Sequence, residues 1–488
     1  MNKKQINVLL ILGVFLSLTV LTLATTFYGS TDISDYIDSA KFFSGDYAAK
    51  IRGSHSFLFG LVMSPFFALT KSFLAFKITN LLFIALISYS VYIISKKNIK
   101  AFWLIILSPI TWYLAPWASP IIISSFFLLW SWYYLEKYDK GLSKRTLLYA
   151  GALLGLAWAF WDTMLFFGVF LALPFLFNKK LSHSFLFCSA VLVGLLPRLI
   201  LDYVLFNFPF FTIAKNLLGI LAIAVFLKNS SVSLVWHIVP IILILVMMPL
   251  YFWRGIRPSL IKPEKKMLIF LTLSLVFVLL SNPQPRYLMA LIPMMIVFSI
   301  QYMNRVQWRK QILFSIVVSI IVIIPYILQI GYHLGNDVHG IELVAVVAEI
   351  NNLHISTINP SDLITEDLKE IEKEFSGESF IVGNTADSYN SLARFYNGKE
   401  IKEFISIQDY KLWLNNETDL FKKRFAPISN IGDRRYIWIE GGIGRNPSDT
   451  TDYKSLKYVL SLEKRLDLEG FKLINSYKIL NLWKKEDK

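Results

Sequence analysis

The sequence predicts a polytopic α-helical membrane protein with a soluble α/β domain at its C-terminal end. Of its 488 residues, 55% are apolar or aromatic and 17% are charged, whereas soluble domains carry about a quarter charged residues. From Met1 to about Tyr332, apolar blocks alternate with short charged loops, and blocks of about 20 residues suit helices that cross a bilayer. From about Gly335 to Lys488, Asp, Glu and Lys are frequent. We therefore predict a membrane domain over residues 1–333 and a soluble domain over residues 334–488.

Charge and cysteine content exclude two other classes of protein. The net charge is +15, but most Lys and Arg lie in short loops beside apolar blocks, where they orient membrane insertion. We therefore predict no nucleic-acid partner. The single cysteine, Cys188, lies inside an apolar block, so the chain has no disulfide framework. The first block, Ile6–Phe27, is too long for a signal peptide and precedes further apolar blocks, so we interpret it as an uncleaved span.

The basic loops predict a topology of eleven spans with the N-terminus in the cytoplasm. This assignment makes each of the five inner loops basic. It places residues 28–71 in a first external loop and the C-terminal domain outside a cell membrane. Two further apolar stretches, His55–Thr70 and Ile213–Phe226, then lie along the interface or re-enter. The predicted spans are Ile6–Phe27, Ser72–Ser95, Ala101–Ala115, Ala118–Leu135, Thr146–Trp161, Thr163–Phe177, Ser184–Phe206, Leu234–Phe252, Met267–Leu280, Tyr287–Met303 and Ile312–Tyr332.

The C-terminal part alternates β-rich and helical runs, which predicts a small α/β layer. The predicted strands or hairpins are Ser379–Val382, Ile401–Ile405, Tyr436–Glu440 and Phe471–Leu482. The predicted helices are Leu363–Phe375, Ala386–Tyr396, Ile407–Leu414 and Tyr453–Leu468. The glycine-rich run Gly441–Gly444 is not followed at once by a helix, so we interpret it as a loop and not as a phosphate-binding motif.

Charged side chains collect at the predicted outer face of the membrane. Charges near the bilayer are costly and indicate a functional site; together, carboxylates and arginines there suit an anionic, lipid-linked substrate. Each residue also has a structural interpretation: the first aspartates as helix caps, Arg198 and Asp202 as a pair four residues apart, and Arg286 as a side chain that reaches lipid phosphates. The residues are Asp32, Asp35, Asp38, Arg52, His55, Asp162, Arg198, Asp202 and Arg286.

Four stretches form a recognisable series along the membrane domain. In the first, Asp32, Tyr36 and Ala40 share one helical stripe. The second is the glycine-rich opening of a span. The third combines a proline-bearing span with an aromatic, proline-containing outer loop, and the fourth starts a late span. The stretches are Asp32–Tyr47, Gly151–Ala157, Gly194–Pro197 with Asn207–Phe210, and Arg286–Leu288 with Pro293.

In order, spacing and predicted side, this series resembles the membrane glycosyltransferases of the GT-C fold. It is most similar to the group that contains protein O-mannosyltransferases and the aminoarabinose transferase of lipid A. Two positions depart from the pattern: Ile33 stands where the group often has Glu, and Trp161 and Asp162 stand where it often has Lys. The absence of a Trp-Trp-Asp run argues against an oligosaccharyltransferase.

The resemblance implies transfer of one sugar from a polyprenyl-phosphate donor to a hydroxyl of a lipid, glycan or protein acceptor at the outer face, with inversion. By position in the motif, Asp32 is the first candidate for the general base and Asp35 the second. Arg286 is the first candidate for binding the donor phosphate, with Arg198 and Arg52 in reserve. Further candidate site residues are Tyr36, His55, Asp162, Asp202 and Tyr287.

No cofactor is predicted. An aspartate pair can hold a divalent cation, but the sequence shows no compact set of carboxylates, so a metal is not favoured. The main competing function is that of a multi-pass transporter, although transporters usually contain internal repeats and charges near the membrane midplane. A ligase or polymerase of surface polysaccharide and a non-catalytic membrane scaffold are two further candidate functions.

Overall fold

The structure is a computed structural model, mainly helical, with a small sheet near the C-terminal end. It describes residues 3–25, 33–45, 55–70, 72, 74–141, 143–176, 181–214, 216–217, 234–249, 265–281, 284–335, 370–371, 373–374, 380–383, 458–461, 470–477 and 481–486. The helices are α1 (Lys3–Ala24), α2 (Ile33–Phe43), α3 (Leu58–Thr70), α4 (Leu74–Ile94), α5 (Ile99–Ile106), α6 (Pro109–Leu114), α7 (Ile121–Asp139), α8 (Lys144–Phe160), α9 (Met164–Leu176), α10 (Leu181–Phe206), α11 (Leu234–Met247), α12 (Lys265–Ser281), a 3-10 helix (Pro285–Ala290), α13 (Ile292–Ile300) and α14 (Arg305–Gly335).

Three of these helices contain segments long and apolar enough to cross a membrane: Leu74–Ile94, Leu181–Leu205 and Arg305–Ile324. Shorter apolar segments are Leu9–Ala24, Leu58–Thr70 and Met164–Leu176. The predicted class of a helical membrane protein with several apolar spans therefore holds for the part of the chain that is described. The predicted total of eleven spans stays a prediction.

The chain divides into two compact units. The first unit contains residues 1–25, 74–197 and 233–353, and the second contains residues 26–73, 198–232 and 354–488. The predicted division between residues 333 and 334 stays a prediction.

Glycines bring α8 and α10 into close contact in the first unit. A Cβ atom added at Gly155 would collide with the Val191 carbonyl oxygen, and one added at Gly194 would collide with the Ala152 carbonyl oxygen. At Gly151 the added atom would lie 2.6 Å from the Phe187 carbonyl oxygen. Small residues let membrane helices approach closely and gain van der Waals contact. These glycines belong to the second and third stretches of the series, so their spacing has a packing reason.

Residues Ala101–Ala115, predicted as one span, do not form one continuous helix, because the helix breaks between α5 and α6. Pro109 has no N–H and disfavours a helical conformation at the residue before it, and Ser108 is extended. Side chains of the next turn bind the carbonyls exposed by the break: the Thr111 hydroxyl donates to Ile105 at 2.8 Å, and the Trp112 indole donates to Ile106 at 2.9 Å.

Helix α14 completes the hydrogen bonding of the broken segment. The Ser319 hydroxyl donates to the Leu107 carbonyl at 3.1 Å, and the Tyr326 hydroxyl donates to the Tyr113 carbonyl at 2.7 Å. A broken helix is tolerated at membrane depth where neighbouring side chains satisfy its backbone. The predicted span Tyr287–Met303 is also discontinuous, because it starts in the 3-10 helix and continues in α13.

A four-stranded sheet lies in the second unit. Its strands are β1 (Phe380–Gly383), β2 (Tyr458–Ser461), β3 (Phe471–Ser476) and β4 (Asn481–Lys485), in the order β1-β2-β4-β3. β1 and β2 are parallel, while β4 runs antiparallel to β2 and β3. The predicted strand near residue 380 and the hairpin after residue 471 are confirmed.

The predicted helix Tyr453–Leu468 is wrong at β2. This strand lies between two others and buries Tyr458, so sheet pairing overrides the local helical pattern.

Residues 370–371 and 373–374 are helical, in agreement with the predicted helix Leu363–Phe375. The Tyr477 hydroxyl donates to the Glu374 carboxylate at 3.0 Å; burial raises the pKa of this phenol, and the carboxylate adds to the rise. The other predicted C-terminal elements, 386–396, 401–405, 407–414 and 436–440, lie outside the described residues.

Candidate functional site

Residues from the first predicted external loop form one group in the second unit. Asp32 and Arg52 lie outside the described residues, and only the backbone of Asp35 is described, in the first turn of α2. The Tyr36 ring is buried and lies 5.8 Å from the His55 ring, at an angle of 36°. The Phe59 ring contacts Tyr36 edge-on at the same centroid distance.

Helices α2 and α3 pack at a glycine in this group. A Cβ atom added at Gly60 would collide with Ser39 and would lie 2.9 Å from the Ala40 backbone nitrogen. The contact falls one turn beyond Tyr36, on the stripe that the sequence predicts for Asp32, Tyr36 and Ala40. The described part of the loop is therefore closely packed, with Tyr36 and His55 side by side.

Arg198 and Asp202 are brought together through a third residue, Thr212. All three are completely buried. The Arg198 Nε donates to the Thr212 Oγ1 at 2.9 Å, while the Thr212 hydroxyl and backbone N–H both donate to Asp202 Oδ2, at 2.6 and 2.9 Å. A buried carboxylate and guanidinium need such hydrogen bonds to offset the cost of leaving water. The network joins the end of α10 to the segment that follows Asn207.

The chain turns sharply between Arg198 and Thr212. Asn207 ends α10 with a φ of 55° and donates its N–H to the Tyr203 carbonyl at 2.8 Å. Asn tolerates this left-handed conformation better than most residues do. The aromatic and proline-containing stretch that the resemblance singled out therefore returns the chain so that Thr212 reaches α10. Sequence reasoning missed Thr212, since no local pattern marks it.

A second group of predicted residues lies in the first unit, around Trp161. The Trp161 and Tyr287 rings are stacked, with centroids 5.5 Å apart and planes at 27°. The Arg286 Cζ lies 5.6 Å from the centroid of the Tyr287 ring. Asp162 directly follows Trp161 and is 7% exposed. The structure thus brings the turn that carries Asp162 against the segment that carries Arg286 and Tyr287.

The segment that carries Arg286 is held by its own geometry and neighbours. Gln284 is extended, Pro285 starts the 3-10 helix, and this helix packs against α6 and α7. Leu288, Met289 and the residues after them are buried, whereas Arg286 and Tyr287 are partly exposed. The apolar side of the helix is therefore fixed in the bundle, while Arg286 and Tyr287 keep part of their surface exposed.

Two buried polar residues of α4 were missed by the sequence reasoning. Lys77 is completely buried and its Nζ donates to the Thr25 carbonyl at the end of α1. Asn80 is 2% exposed and donates to the Trp117 carbonyl, and the Trp117 indole donates to the Tyr326 hydroxyl at 3.1 Å. Both residues stand inside an apolar block, and an ionisable or amide side chain there is a signal that the sequence does offer.

Within the described ranges, no group of three or more His, Cys, Asp or Glu side chains has the geometry to hold a metal ion. Two of the predicted carboxylates, Asp162 and Asp202, lie in different units. Among the predicted site residues, Arg286 instead lies beside the Tyr287 ring, and Arg198 and Asp202 are hydrogen-bonded to the Thr212 hydroxyl.

Comparisons with known proteins give a likeness in structure alone. No protein-family model and no curated protein matches the sequence. A crystal structure of ArnT from Cupriavidus metallidurans bound to undecaprenyl phosphate is similar, with a TM-score of 0.58 and 14% identity over 98% of this chain and 97% of that one. The apo crystal structure of the same protein has a TM-score of 0.58 and 12% identity over 98% of each chain. The chain therefore has the fold of ArnT, which confirms the GT-C resemblance inferred from the sequence.

Proposed function

We propose that the protein is a membrane glycosyltransferase that moves a single sugar from a polyprenyl-phosphate donor to an acceptor hydroxyl on the outer face of the cell membrane. The observation that carries this proposal is the likeness to ArnT over almost the whole length of both chains, including the form bound to undecaprenyl phosphate. The four stretches of the sequence series and the polar groups at the predicted outer face support the same activity. Inversion of the sugar is part of the proposal.

Such a transfer has an electrostatic requirement at the leaving group. The donor phosphate gains negative charge as its bond to the sugar breaks, so a fixed cation lowers the barrier. Arg286 suits this role because the residue is partly exposed and its guanidinium lies over a ring and offers donors in a planar fork that matches phosphate. Arg52 and Arg198 are the second candidates; the Nε of Arg198 already donates to Thr212.

The acceptor hydroxyl must lose its proton as it attacks the sugar, which requires a carboxylate within hydrogen-bond reach. We propose Asp32 as this base, with Asp35 second. Asp32 directly precedes α2 in the sequence, and Tyr36 lies one turn later, packed beside His55. Tyr36, His55, Asp162, Asp202 and Tyr287 are proposed as further residues of the site.

The first experiment compares purified wild-type protein with Asp32→Asn in detergent, using a panel of polyprenyl-phosphate sugars together with a cell-envelope extract that supplies acceptor hydroxyls, and following loss of the lipid-linked sugar. We expect the wild type to consume one donor and the variant to be at least about 100-fold slower, since general-base catalysis contributes about 10²–10⁴-fold. Equal rates would remove Asp32 as the base. An absence of any donor consumption or donor binding by the wild type would contradict the proposed activity itself.

A second experiment tests the phosphate assignment without a sugar. Binding of undecaprenyl phosphate and of undecaprenol is measured for wild type, Arg286→Gln and Arg305→Gln. Arg305 is an exposed arginine at the start of α14, on the predicted inner side, and makes the matched control. Because a hydrogen bond to a charged group contributes about 1.5–3 kcal/mol, Arg286→Gln should weaken phosphate-lipid binding at least about tenfold and leave undecaprenol binding as it is. The same loss in both variants would count against Arg286.

A further inference from the structure

Trp161 holds a fixed place at the end of α8. It is the C-cap of that helix, with an extended backbone (φ −143°, ψ 122°), and its N–H donates to the Ala157 carbonyl at 3.1 Å. Its side chain is only 8% exposed. A buried indole at a helix end has few rotamers open to it, so its ring face is a rigid surface.

Three planar groups are in contact at this point. The Trp161 indole stacks on the Tyr287 ring at 5.5 Å and 27°, and the Arg286 guanidinium carbon lies 5.6 Å from the centroid of the same Tyr287 ring. An aromatic ring attracts a guanidinium through its quadrupole and offers it a flat surface. The Tyr287 ring can orient the Arg286 guanidinium only if the ring itself is held in place. The Trp161 indole, at the end of α8, restrains the Tyr287 ring by stacking on it.

The long side chain of Arg286 makes this restraint important. An unrestrained arginine has many rotamers, and therefore conformational entropy, to lose when it binds a ligand. The 3-10 helix fixes the backbone of Arg286 but not the end of its side chain. A guanidinium already held over a ring loses less freedom on binding and therefore binds more tightly.

We infer that Trp161 is a positioning residue, which acts through Tyr287 to hold the Arg286 guanidinium ready for the phosphate of the lipid donor. The inference rests on the proposed function, since it concerns the ligand of that site. Here an aromatic ring supports a cation supplied by another segment.

The test is a double-mutant cycle read by lipid binding. The Kd of undecaprenyl phosphate and of undecaprenol is measured in detergent for wild type, Trp161→Leu, Trp161→Phe, Arg286→Gln and the double variant Trp161→Leu with Arg286→Gln. We expect Trp161→Leu to weaken phosphate-lipid binding about tenfold through loss of the ring contacts, and Trp161→Phe, which keeps a ring, to weaken it much less. In the Arg286→Gln background, Trp161→Leu should have almost no further effect, because coupled residues are not additive.

A matched control separates positioning from packing. Phe166 and Phe277 form a similar stack, 4.7 Å apart and at 25°, elsewhere in the first unit. Phe166→Leu should leave the ratio of the two lipid affinities unchanged, while Trp161→Leu should lower it. If Trp161→Leu does not fold, Trp161→Met keeps most of the apolar volume without the ring and takes its place in the cycle.

The two ways in which this test can fail are distinct. If the wild type binds undecaprenyl phosphate no better than undecaprenol, the proposed function fails. If the wild type prefers the phosphate lipid but Trp161→Leu keeps the same ratio, or has its full effect in the Arg286→Gln background, the role of Trp161 is wrong and the proposed function stands.

Discussion

At the scale of single residues, the buried triad of Arg198, Thr212 and Asp202 is held by hydrogen bonds on both sides of the threonine. One hydroxyl, that of Thr212, accepts from the guanidinium and donates to the carboxylate. The helix spacing of the two charged residues was visible in the sequence, and it indicated that they share a face of α10. The bridging threonine was not visible, because the turn at Asn207 decides which later residue reaches the pair.

Thr212→Val is expected to destabilise the protein. Valine has nearly the shape of threonine but offers no hydroxyl to either charged group, and loss of a partner by a buried polar group costs about 1–3 kcal/mol. Thr146→Val is the matched control, since the Thr146 hydroxyl makes a single hydrogen bond of 2.7 Å at an exposed site. Thermal unfolding in detergent should show a clearly lower midpoint for Thr212→Val than for Thr146→Val. Equal midpoints would mean that the threonine is not part of the stabilising network.

Lys77 and Asn80 show that a residue-scale signal was present and was not used. A lysine inside an apolar block has nowhere to place its charge unless it meets a carbonyl or a carboxylate. The structure provides the Thr25 carbonyl at the end of α1, where the partial negative charge of the helix dipole also favours a cation. This bond fixes Thr25, which directly follows α1 and is the last residue of the first unit before residue 26 begins the second.

At the scale of helices, hydropathy found most helix positions but not the two discontinuities. A sum of apolar residues is the same whether a helix is continuous or broken, so residues 101–115 looked like one span. The break depends on whether nearby side chains can satisfy free carbonyls, and Thr111 and Trp112 do so from the next turn. Pro109 was a local signal of the break in the sequence. No local pattern indicated the hydrogen bonds that α14 donates to this segment.

The contact between α8 and α10 predicts that a glycine-to-alanine change lowers the unfolding midpoint at the contact but not at an open site. Gly155→Ala places a methyl group against the Val191 carbonyl, and overpacking of this kind costs about 1–3 kcal/mol. Gly13→Ala, in α1, adds the same methyl group where nothing lies within 4 Å, and alanine favours helix by about 1 kcal/mol over glycine. The unfolding midpoint should fall for Gly155→Ala and stay level or rise for Gly13→Ala. Parallel shifts would show that close helix contact at Gly155 is not needed.

At the scale of the whole molecule, the change in composition near residue 335 predicted that the sheet lies in the C-terminal part. It did not predict all the strands of that sheet. β1 and the hairpin of β3 and β4 follow their local patterns, whereas β2 was predicted as a helix because its neighbours in the sheet are distant in the sequence. The stack of Trp161 on Tyr287 was beyond sequence reasoning for the same reason. Contacts between distant segments arise from packing, and one sequence does not display them.

The proposed orientation places the sheet outside the cell and the loop after α7 inside. It is tested in a Cys188→Ser background with single cysteines at two exposed lysines, Lys472→Cys in β3 and Lys140→Cys after α7. A membrane-impermeant maleimide added to right-side-out vesicles should label Lys472→Cys at once and Lys140→Cys only after detergent is added. Labelling of Lys140→Cys in sealed vesicles would contradict the assignment of basic loops to the inside.

The broken segment between α5 and α6 has a consequence for biogenesis. Its Leu107 and Tyr113 carbonyls accept hydrogen bonds from Ser319 and Tyr326, which follow 212 and 213 residues later. A ribosome adds about 5–20 residues per second, so α14 emerges roughly 10–40 s after the segment that it completes. In that interval lipid offers these carbonyls no donor. These two hydrogen bonds can therefore form only after α14 has been made, so the order of synthesis bears on how this membrane protein folds.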